Sequence, residues 1–143
     1  MDNQGYAQIT AEEIINKDNF IRWLNVKVLR VEVGYSKIEI EIREEMLNGL
    51  GIAHGGILFA LADSAFALAA NSRHNASVAW AASINFMKPV KLWDVLTAET
   101  KEIHHGKNTG LYLVTITNQR DESVALFKGS SFRLHKEAAS LAS

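Results

Sequence analysis

Residues 55–71 read GGILFALADSAFALAAN and hold the longest apolar run of the chain. Alanine and large aliphatic residues dominate this segment, and Asp63 is the only charged residue between His54 and Arg73. A helix that is apolar on every side has to be surrounded by protein, because none of its faces is suited to water. The segment therefore predicts one long buried helix, from Gly55 to about Asn71.

Segments typical of β-strands precede and follow this helix. Ile38, Ile40 and Ile42 alternate with charged residues, which is the period of two expected of a strand with one buried face. The spacing of the strand candidates favours an antiparallel meander over βαβ units. We therefore expect an α+β fold, in which a curved antiparallel sheet of about six strands wraps around the buried helix. The other strand candidates are residues 26–33, 78–87, 93–104, 111–118 and 124–134.

The two ends of the chain are predicted to lie outside the sheet. Residues 10–13, TAEE, have the form of a capping box that opens a short helix within an N-terminal extension, residues 1–17. A second short helix is predicted to start near Asp18 and to bury Phe20, Ile21 and Leu24. The Ala/Ser-rich tail, residues 137–143, is expected to fray. The whole chain, residues 1–143, is read as one domain.

Composition excludes several classes of function. Fifteen Lys and Arg against sixteen Asp and Glu give a net charge of −1, so no basic surface indicates nucleic acid. The chain has no cysteine, which excludes disulfides, thiolate metal sites and a cysteine nucleophile. The apolar run 57–70 is too short to span a bilayer and contains Asp63. The first residues lack the features of a signal peptide, so we expect a cytoplasmic protein without membrane contact.

Four positions in or before the predicted helix carry groups suited to chemistry. A glycine pair, Gly55-Gly56, at a helix start lets a ligand approach the backbone, where unpaired N–H groups can hold an oxyanion. His54 could donate to the same oxygen, and Asp63 is a candidate base or nucleophile, because a carboxylate rarely enters an apolar helix. Asn48 completes the set.

The spacing of these residues on the helix indicates a dimer. His54 and Asp63 are nine residues apart, about two and a half turns and about 13 Å along the helix axis, so they point to opposite sides. They can act on one atom only if His54 comes from one subunit and Asp63 from another. An antiparallel pairing of the helix across a two-fold axis would create two identical sites.

Each of these residues can also be explained by a purely structural role. A lone aspartate in a buried helix can satisfy a backbone group, a histidine at a helix start can be a cap, and Asn48 can open a turn. The competing catalytic motifs are incomplete: residues 49–54 begin like a dinucleotide fingerprint but lack its last glycine, and no nucleophilic serine motif is present. His104 and His105 alternate across a strand, so no metal site is predicted.

The sequence resembles the hotdog-fold acyl-CoA thioesterases, in particular the PaaI-like branch of the phenylacetate pathway. The resemblance rests on residues 48–56, NGLGIAHGG, and 61–71, LADSAFALAAN, and it extends over about residues 18–135. Two later segments also match, residues 85–89, NFMKP, and 128–132, KGSSF. The resemblance implies a hotdog fold and hydrolysis of an acyl-CoA to a free acid and CoA, without metal or other cofactor.

The resemblance also implies roles for the four positions. Asp63 stands where the family has its catalytic carboxylate, a general base on water or a nucleophile on the thioester. Gly55 stands where a backbone N–H polarises the thioester carbonyl, and His54 where a histidine lies near it. Asn48 matches an asparagine that positions the water or the carboxylate. In the family these groups meet across a dimer interface, and many relatives are dimers of dimers, which implies a homodimer and a homotetramer.

Substrate contacts are expected from a further set of residues. Ala79 stands where some relatives have a serine or threonine that orients water, and Ser83 lies on the same strand with the same parity. The candidates for CoA phosphates by charge alone are Lys88, Lys107, Arg120 and Arg133. Small alanines and aromatic residues near the helix favour an aromatic or medium-chain acyl group. The expected substrate-binding residues are Gly56, Ser64, Phe66, Ser83 and Lys107.

Two other functions stay open at this point. A hotdog hydratase or dehydratase would use a histidine and a carboxylate, but its Asp-x-Asn-x-x-His pattern is missing. A non-catalytic acyl-CoA-binding module would bind the thioester without turning it over. Release of free thiol from acyl-CoA separates both from a thioesterase.

Overall fold

The computed structural model describes residues 2–73 and 75–137, with six strands and three α-helices in that part of the chain. A short 3₁₀ turn, Glu44–Met46, follows the second strand. In chain order the elements are α1 (Asn3–Lys17), α2 (Asn19–Leu24), β1 (Lys27–Glu32), β2 (Tyr35–Glu41), α3 (Gly55–Ala70), β3 (Asn75–Phe86), β4 (Val95–His105), β5 (Thr109–Thr117) and β6 (Ser123–Glu137).

The six strands form one antiparallel sheet in the order β1-β2-β4-β5-β6-β3. The α+β architecture with α3 packed on the sheet is therefore confirmed. The meander is interrupted, because β3 pairs with β6 at the far edge and β4 takes the place beside β2. The chain between β2 and β3 contains α3, and this long connection carries it across the sheet.

The core lies between α3 and one face of the sheet. The alternation predicted for Ile38, Ile40 and Ile42 is confirmed, because all three side chains are buried. On the helix side the core consists of Leu58, Leu61, Ala62, Ala65, Phe66, Leu68 and Ala69. No helix in the described ranges is long and apolar enough to cross a membrane.

One strip of α3 is open, although the sequence predicts a helix enclosed on every side. Phe59 is exposed, and Ala60, Asp63 and Ala67 are half-buried. These residues recur at intervals of three and four and so share one face of the helix. The helix is buried by its own chain everywhere except along this strip.

The N-terminal helices differ from the predictions in part. The capping-box prediction at residues 10–13 is wrong, because α1 begins at Asn3 and the Asp2 side chain accepts from Gly5 N–H as its cap. The second helix is confirmed, with Asp18 as its N-cap and with Ile21 and Leu24 buried. Phe20, in contrast, is exposed and stacks on Trp23. Of the predicted frayed tail, residues 138–143 lie outside the described residues.

Candidate active site

His54 is the N-cap of α3. Its Nδ1 accepts a hydrogen bond from Gly56 N–H at 2.9 Å, which satisfies one of the amides that a helix start leaves unpaired. Because Nδ1 is the acceptor, the neutral imidazole carries its proton on Nε2. The structural reading of His54 as a cap is therefore correct, and the same bond orients Nε2–H as a donor toward other groups.

The two glycines have different functions. A side chain at Gly56 would approach His54 Nδ1 at 3.0 Å, so the absence of Cβ allows the histidine ring to close over the helix start. A Cβ at Gly55 would lie 3.1 Å from the ring of Phe86. The Gly55 N–H, unlike that of Gly56, has no acceptor within the described chain. Of the two amides, that of Gly55 is the one available to a ligand.

The loop before α3 uses the Asn48 side-chain oxygen but not the side-chain NH₂ group. Its Oδ1 accepts from the backbone N–H groups of Leu50 at 2.9 Å and Ile52 at 3.3 Å, which is the turn-opening function expected of asparagine. Gly51, at φ 79°, supplies the left-handed residue that closes the turn. The Asn48 Nδ2 amide has no acceptor among the described residues and stays a donor.

Asn48 and Gly55 border the same cavity, of about 390 Å³, which we call the loop cavity. Apolar side chains of α3 and of the segment after β3 form most of its wall, so a donor there acts in a weakly polar environment. The remaining lining residues are Ile52, Ala53, Leu58, Phe86, Met87, Lys88, Pro89 and Val90.

Asp63 borders a different cavity, of about 290 Å³, on the open strip of α3. We call it the helix cavity; α2 forms its other wall through Asp18, Phe20 and Ile21. The Asp63 carboxylate has no hydrogen-bond or ion-pair partner among the described residues. The structural explanation, in which Asp63 accepts a hydrogen bond from a backbone group, therefore does not apply.

The surroundings of Asp63 in the helix cavity shift the pKa of its carboxyl upward. Burial raises the pKa of the Asp63 carboxyl, and the nearby negative charge of Asp18 raises it further. Asp18 already uses its carboxylate to cap α2 by accepting from Ile21 N–H at 2.9 Å. Asn48, which the resemblance implies positions the water or the carboxylate, forms no hydrogen bond to Asp63 within one chain.

The structure thus brings together three of the four predicted catalytic residues and separates the fourth. Asn48 and Gly55 border the loop cavity and His54 caps α3 directly before Gly55, whereas Asp63 faces the other cavity. This separation agrees with the helix geometry, which places His54 and Asp63 on opposite sides.

The predicted substrate-binding residues are scattered. Ser64 borders the helix cavity, but its Oγ donates to Ala60 O at 2.7 Å. Phe66 is 2% exposed and packs edge-on against Tyr112 at 5.4 Å, which is a core position. Ser83 is exposed on β3, and Lys107 borders a third cavity beyond the far end of α3.

Two proximities in the site could not be predicted from the sequence. Asp18 was predicted to lie near the start of a helix but not to be a charge beside Asp63, because that proximity arises only when α2 folds onto α3. Phe86 belongs to a segment that carries the resemblance, yet its proximity to Gly55 arises only when the end of β3 lies beside the start of α3. Neither relation has a signal in local sequence spacing.

Comparison with known proteins places this geometry in a family. The model of the thioesterase superfamily matches residues 50–125. The chain is 40% identical to the acyl-coenzyme A thioesterase PaaI of Escherichia coli K12 over 124 residues, 87% of this chain and 89% of that protein.

Solved structures agree with the sequence comparison. The structure of E. coli PaaI superposes with a TM-score of 0.92 at 37% identity, over 95% of this chain and 99% of that one. A Streptococcus mutans UA159 protein bound to acetyl CoA gives a TM-score of 0.77 at 33% identity, over 79% of this chain and 91% of that one. From the matched family model, the identity to PaaI and the shared fold, we conclude that the chain belongs to the thioesterase superfamily.

Proposed function

We propose that this protein is an acyl-CoA thioesterase whose active site is shared between two subunits. Asn48, His54 and Gly55 come from one subunit and Asp63 from its partner. The observation that carries the proposal is the pair of unsatisfied groups on opposite sides of α3: the Gly55 N–H in the loop cavity and the Asp63 carboxylate in the helix cavity. The family relationship and the acetyl CoA bound to the S. mutans protein support the substrate class.

An antiparallel pairing of α3 with its copy joins the two cavities. If Gly55 of one subunit lies beside Asp63 of the other, the two-fold axis passes near Phe59, halfway between them. Phe59 is exposed on the open strip, as a residue that a second helix covers would be. The same operation repeats the arrangement at the other site, so that one dimer carries two active sites.

The reaction follows from the groups assembled in this way. Asp63 removes a proton from water as the water oxygen attacks the thioester carbonyl carbon, or the carboxylate attacks the carbon itself. In both cases the carbonyl oxygen becomes an oxyanion, which accepts hydrogen bonds from Gly55 N–H and His54 Nε2–H. Collapse of the tetrahedral intermediate breaks the C–S bond, and the CoA thiolate leaves and takes up a proton. Attack by water gives the free acid directly, whereas attack by the carboxylate gives a mixed anhydride with Asp63, which a water molecule then hydrolyses to the free acid and the regenerated carboxylate.

The acyl group is proposed to be aromatic or medium-chain. The support is the wall of the helix cavity, where Phe20 and Phe59 present aromatic surface beside Asp63. Exposed apolar side chains elsewhere, such as Trp93, leave surface for a further association of two dimers into a tetramer. We propose both features, and we expect a particle mass of two or four times 15.8 kDa.

Release of free thiol from a panel of aromatic, short-chain and medium-chain acyl-CoAs tests this function. Because the chain has no cysteine, every thiol detected comes from substrate. We expect Asp63→Asn to reduce kcat by about a thousandfold, within the range of general acid–base contributions. Asp121→Asn is the matched control, since Asp121 is exposed and its φ of 59° suits asparagine.

Two results would contradict the proposal. Turnover near that of wild type in a folded Asp63→Asn protein would remove Asp63 from the mechanism. Tight binding of acyl-CoA without thiol release from any member of the panel would identify a binding module instead of an enzyme.

A further inference from the structure

Helix α2 is a short element that forms one wall of the helix cavity. It has six residues, and a helix of this length is marginal in water unless tertiary contacts hold it. Ile21 and Leu24 are its buried side chains. Phe20 and Trp23 are exposed, and Phe20 borders the helix cavity beside Asp63. The position of α2 therefore decides where this wall of the cavity lies.

The C-terminal end of α2 is held by Arg43, which follows β2. The Arg43 guanidinium donates through Nη2 to Trp23 O at 2.8 Å and through Nη1 to Leu24 O at 3.4 Å. Both oxygens belong to the last turn of α2, where a helix leaves its carbonyl groups unpaired and where its dipole favours a cation. One guanidinium thus satisfies two backbone oxygens at this end of the helix.

The same guanidinium also contacts the exposed aromatic side chains of α2. Its Cζ lies over the Trp23 ring, 5.0 Å from the ring centroid, where the negative face of the ring attracts a cation. Trp23 in turn stacks on Phe20, with ring centroids 5.8 Å apart and ring planes inclined by 24°. A continuous series of contacts therefore leads from Arg43 through Trp23 to Phe20, at the wall of the helix cavity.

The N-terminal end of α2 brings a charge to the same cavity. Asp18 caps the helix by accepting from Ile21 N–H at 2.9 Å, and it also borders the helix cavity. A displacement of α2 would therefore move both Phe20 and Asp18 relative to Asp63. The shape and the charge of the helix cavity both depend on how firmly α2 is held.

We propose that Arg43 is a positioning residue, which holds α2 in place and thereby sets the acyl-group selectivity of the helix cavity. The inference rests on the proposed thioesterase function, in which the acyl group lies beside Asp63. Arg43 is not among the residues that border the helix cavity, so it acts through Trp23 and Phe20. A fixed wall rejects acyl groups that exceed the space it leaves, whereas a loosely held wall discriminates less.

Hydrogen–deuterium exchange of backbone amides tests the hold on α2 without requiring catalysis. We expect the amides of residues 22–26 to exchange about tenfold faster in Arg43→Ala than in wild type, because hydrogen bonds from a charged donor are lost. The Arg43 side chain does not cap the 3₁₀ turn that follows it, so Glu44–Met46 should keep its wild-type exchange. Equal exchange of α2 in wild type and Arg43→Ala overturns the proposal.

A selectivity ratio tests the consequence for the substrate. The ratio compares kcat/KM for the best acyl-CoA of the panel with kcat/KM for a homologue that is two methylene groups longer. We expect Arg43→Ala to lower this ratio about tenfold, which is the order of discrimination that a fitted pocket achieves per methylene group. A merely destabilised protein would lose activity toward both substrates equally. Arg43→Lys keeps the charge but not the planar pair of donors, so its ratio should be intermediate.

A double-variant cycle tests the route from Arg43 to the cavity. Phe20→Ala removes the wall that Arg43 is proposed to hold, so Arg43→Ala should change the ratio no further in that background. Full additivity of the two effects would contradict the proposed route.

Arg30→Ala is the matched control. Arg30 also lies over an aromatic ring, that of Tyr35 at 5.3 Å, and pairs with nearby Glu32, but it belongs to β1. It should leave both the exchange of α2 and the selectivity ratio unchanged. Effects as large as those of Arg43→Ala would show a general consequence of losing an arginine and would overturn the proposal.

The two measurements separate this inference from the proposed function. If wild type releases no thiol from any acyl-CoA, the thioesterase proposal fails, and the exchange of α2 still decides whether Arg43 holds that helix. If wild type releases thiol but Arg43→Ala keeps the wild-type ratio, the proposed function stands and the positioning function of Arg43 is wrong.

Discussion

Strands β5 and β3 belong to the same sheet but differ in what surrounds them. β5 lies between β4 and β6, and its side chains alternate regularly, with Tyr112, Val114 and Ile116 buried. β3 pairs with β6 on one side only, and all its residues from 78 to 83 are exposed. These six residues, VAWAAS, are nonetheless apolar except for the last.

We propose that a partner, which the single chain does not supply, covers β3. A long apolar edge strand presents unpaired backbone groups and invites association, so natural proteins cover or charge such edges. β3 carries no charged residue to protect it. A second copy of the chain across a two-fold axis would cover the edge and would also bring Asp63 of one subunit to the loop cavity of the other.

The largest effect is expected from a charge on this edge. Trp80 is 64% exposed on β3 and packs against Phe132 at 5.8 Å. Trp80→Glu places a carboxylate in the proposed interface, so we expect dissociation and a loss of turnover of about a hundredfold or more. Light scattering and thiol release measure the two effects. Ile103→Glu, which alters a similarly exposed side chain of β4, should retain assembly; if Trp80→Glu retains it as well, β3 is not the interface.

A matched pair of truncations compares the two strands directly. Val114→Ala removes two methyl groups from the core and should lower the free energy of unfolding by about 2–3 kcal/mol at any protein concentration. Val78 is 45% exposed, so Val78→Ala should cost less than about 0.5 kcal/mol in the dissociated chain. Its cost should increase with protein concentration as the edge becomes covered. Denaturant titrations at two concentrations check this, and a concentration-independent effect at Val78 would contradict a covered edge.

The variant Asn48→Asp separates the hydrogen-bond donor function of the Asn48 Nδ2 group from the structural function of its Oδ1 atom in the turn. The carboxylate keeps the oxygen that accepts from Leu50 and Ile52 N–H, but it removes the Nδ2 donor and adds charge near a developing oxyanion. We expect kcat to fall about tenfold with an unchanged melting temperature. A fall in melting temperature with an unchanged kcat would reduce Asn48 to a turn residue.

The pH profile tests the environment of Asp63. Its carboxyl pKa is raised, first by burial and then by Asp18, and Asp63 acts ionised, so kcat should fall as the pH drops through that raised pKa. Asp18→Asn removes one cause and keeps the helix cap, so the acidic limb should move to lower pH. An acidic limb that does not move would show that Asp18 does not face Asp63 in the active enzyme.

Much of the fold is predictable from local patterns. The alternation of Ile38, Ile40 and Ile42 predicts a strand with one buried face, and this is confirmed. The apolar run that contains Asp63 predicts the helix α3, which is also confirmed, although one strip of that helix is open. The predicted start of α1 was wrong. Residues 10–13 have the form of a capping box, but they lie inside a helix that begins at Asn3. The edge position of β3 was missed, since strand order depends on how the chain crosses the sheet rather than on any one segment.

The part of the candidate site that lies within a short stretch of sequence was predictable. His54, Gly55 and Asn48 lie within one short loop, and the helix period separates Asp63 from them without a structure. Phe66 was expected to contact the substrate, but its ring packs against Tyr112 and Phe127 in the core. The sequence could not show this, because the residue type does not reveal which face of a buried helix an apolar side chain occupies.

Complementation between two inactive variants tests the shared active site most directly. Asp63→Asn is co-expressed with the double variant Asn48→Asp/His54→Ala, the two chains carrying different tags, and the mixed assembly is purified through both. A mixed dimer has one intact site and one fully defective site, so we predict thiol release at about half the wild-type rate. Co-expression of Asn48→Asp with His54→Ala is the control, because it leaves a defect in both loops and should restore nothing. If the mixed assembly releases thiol no faster than the mean of its two parents, Asp63 acts within its own chain and the two-subunit site is wrong.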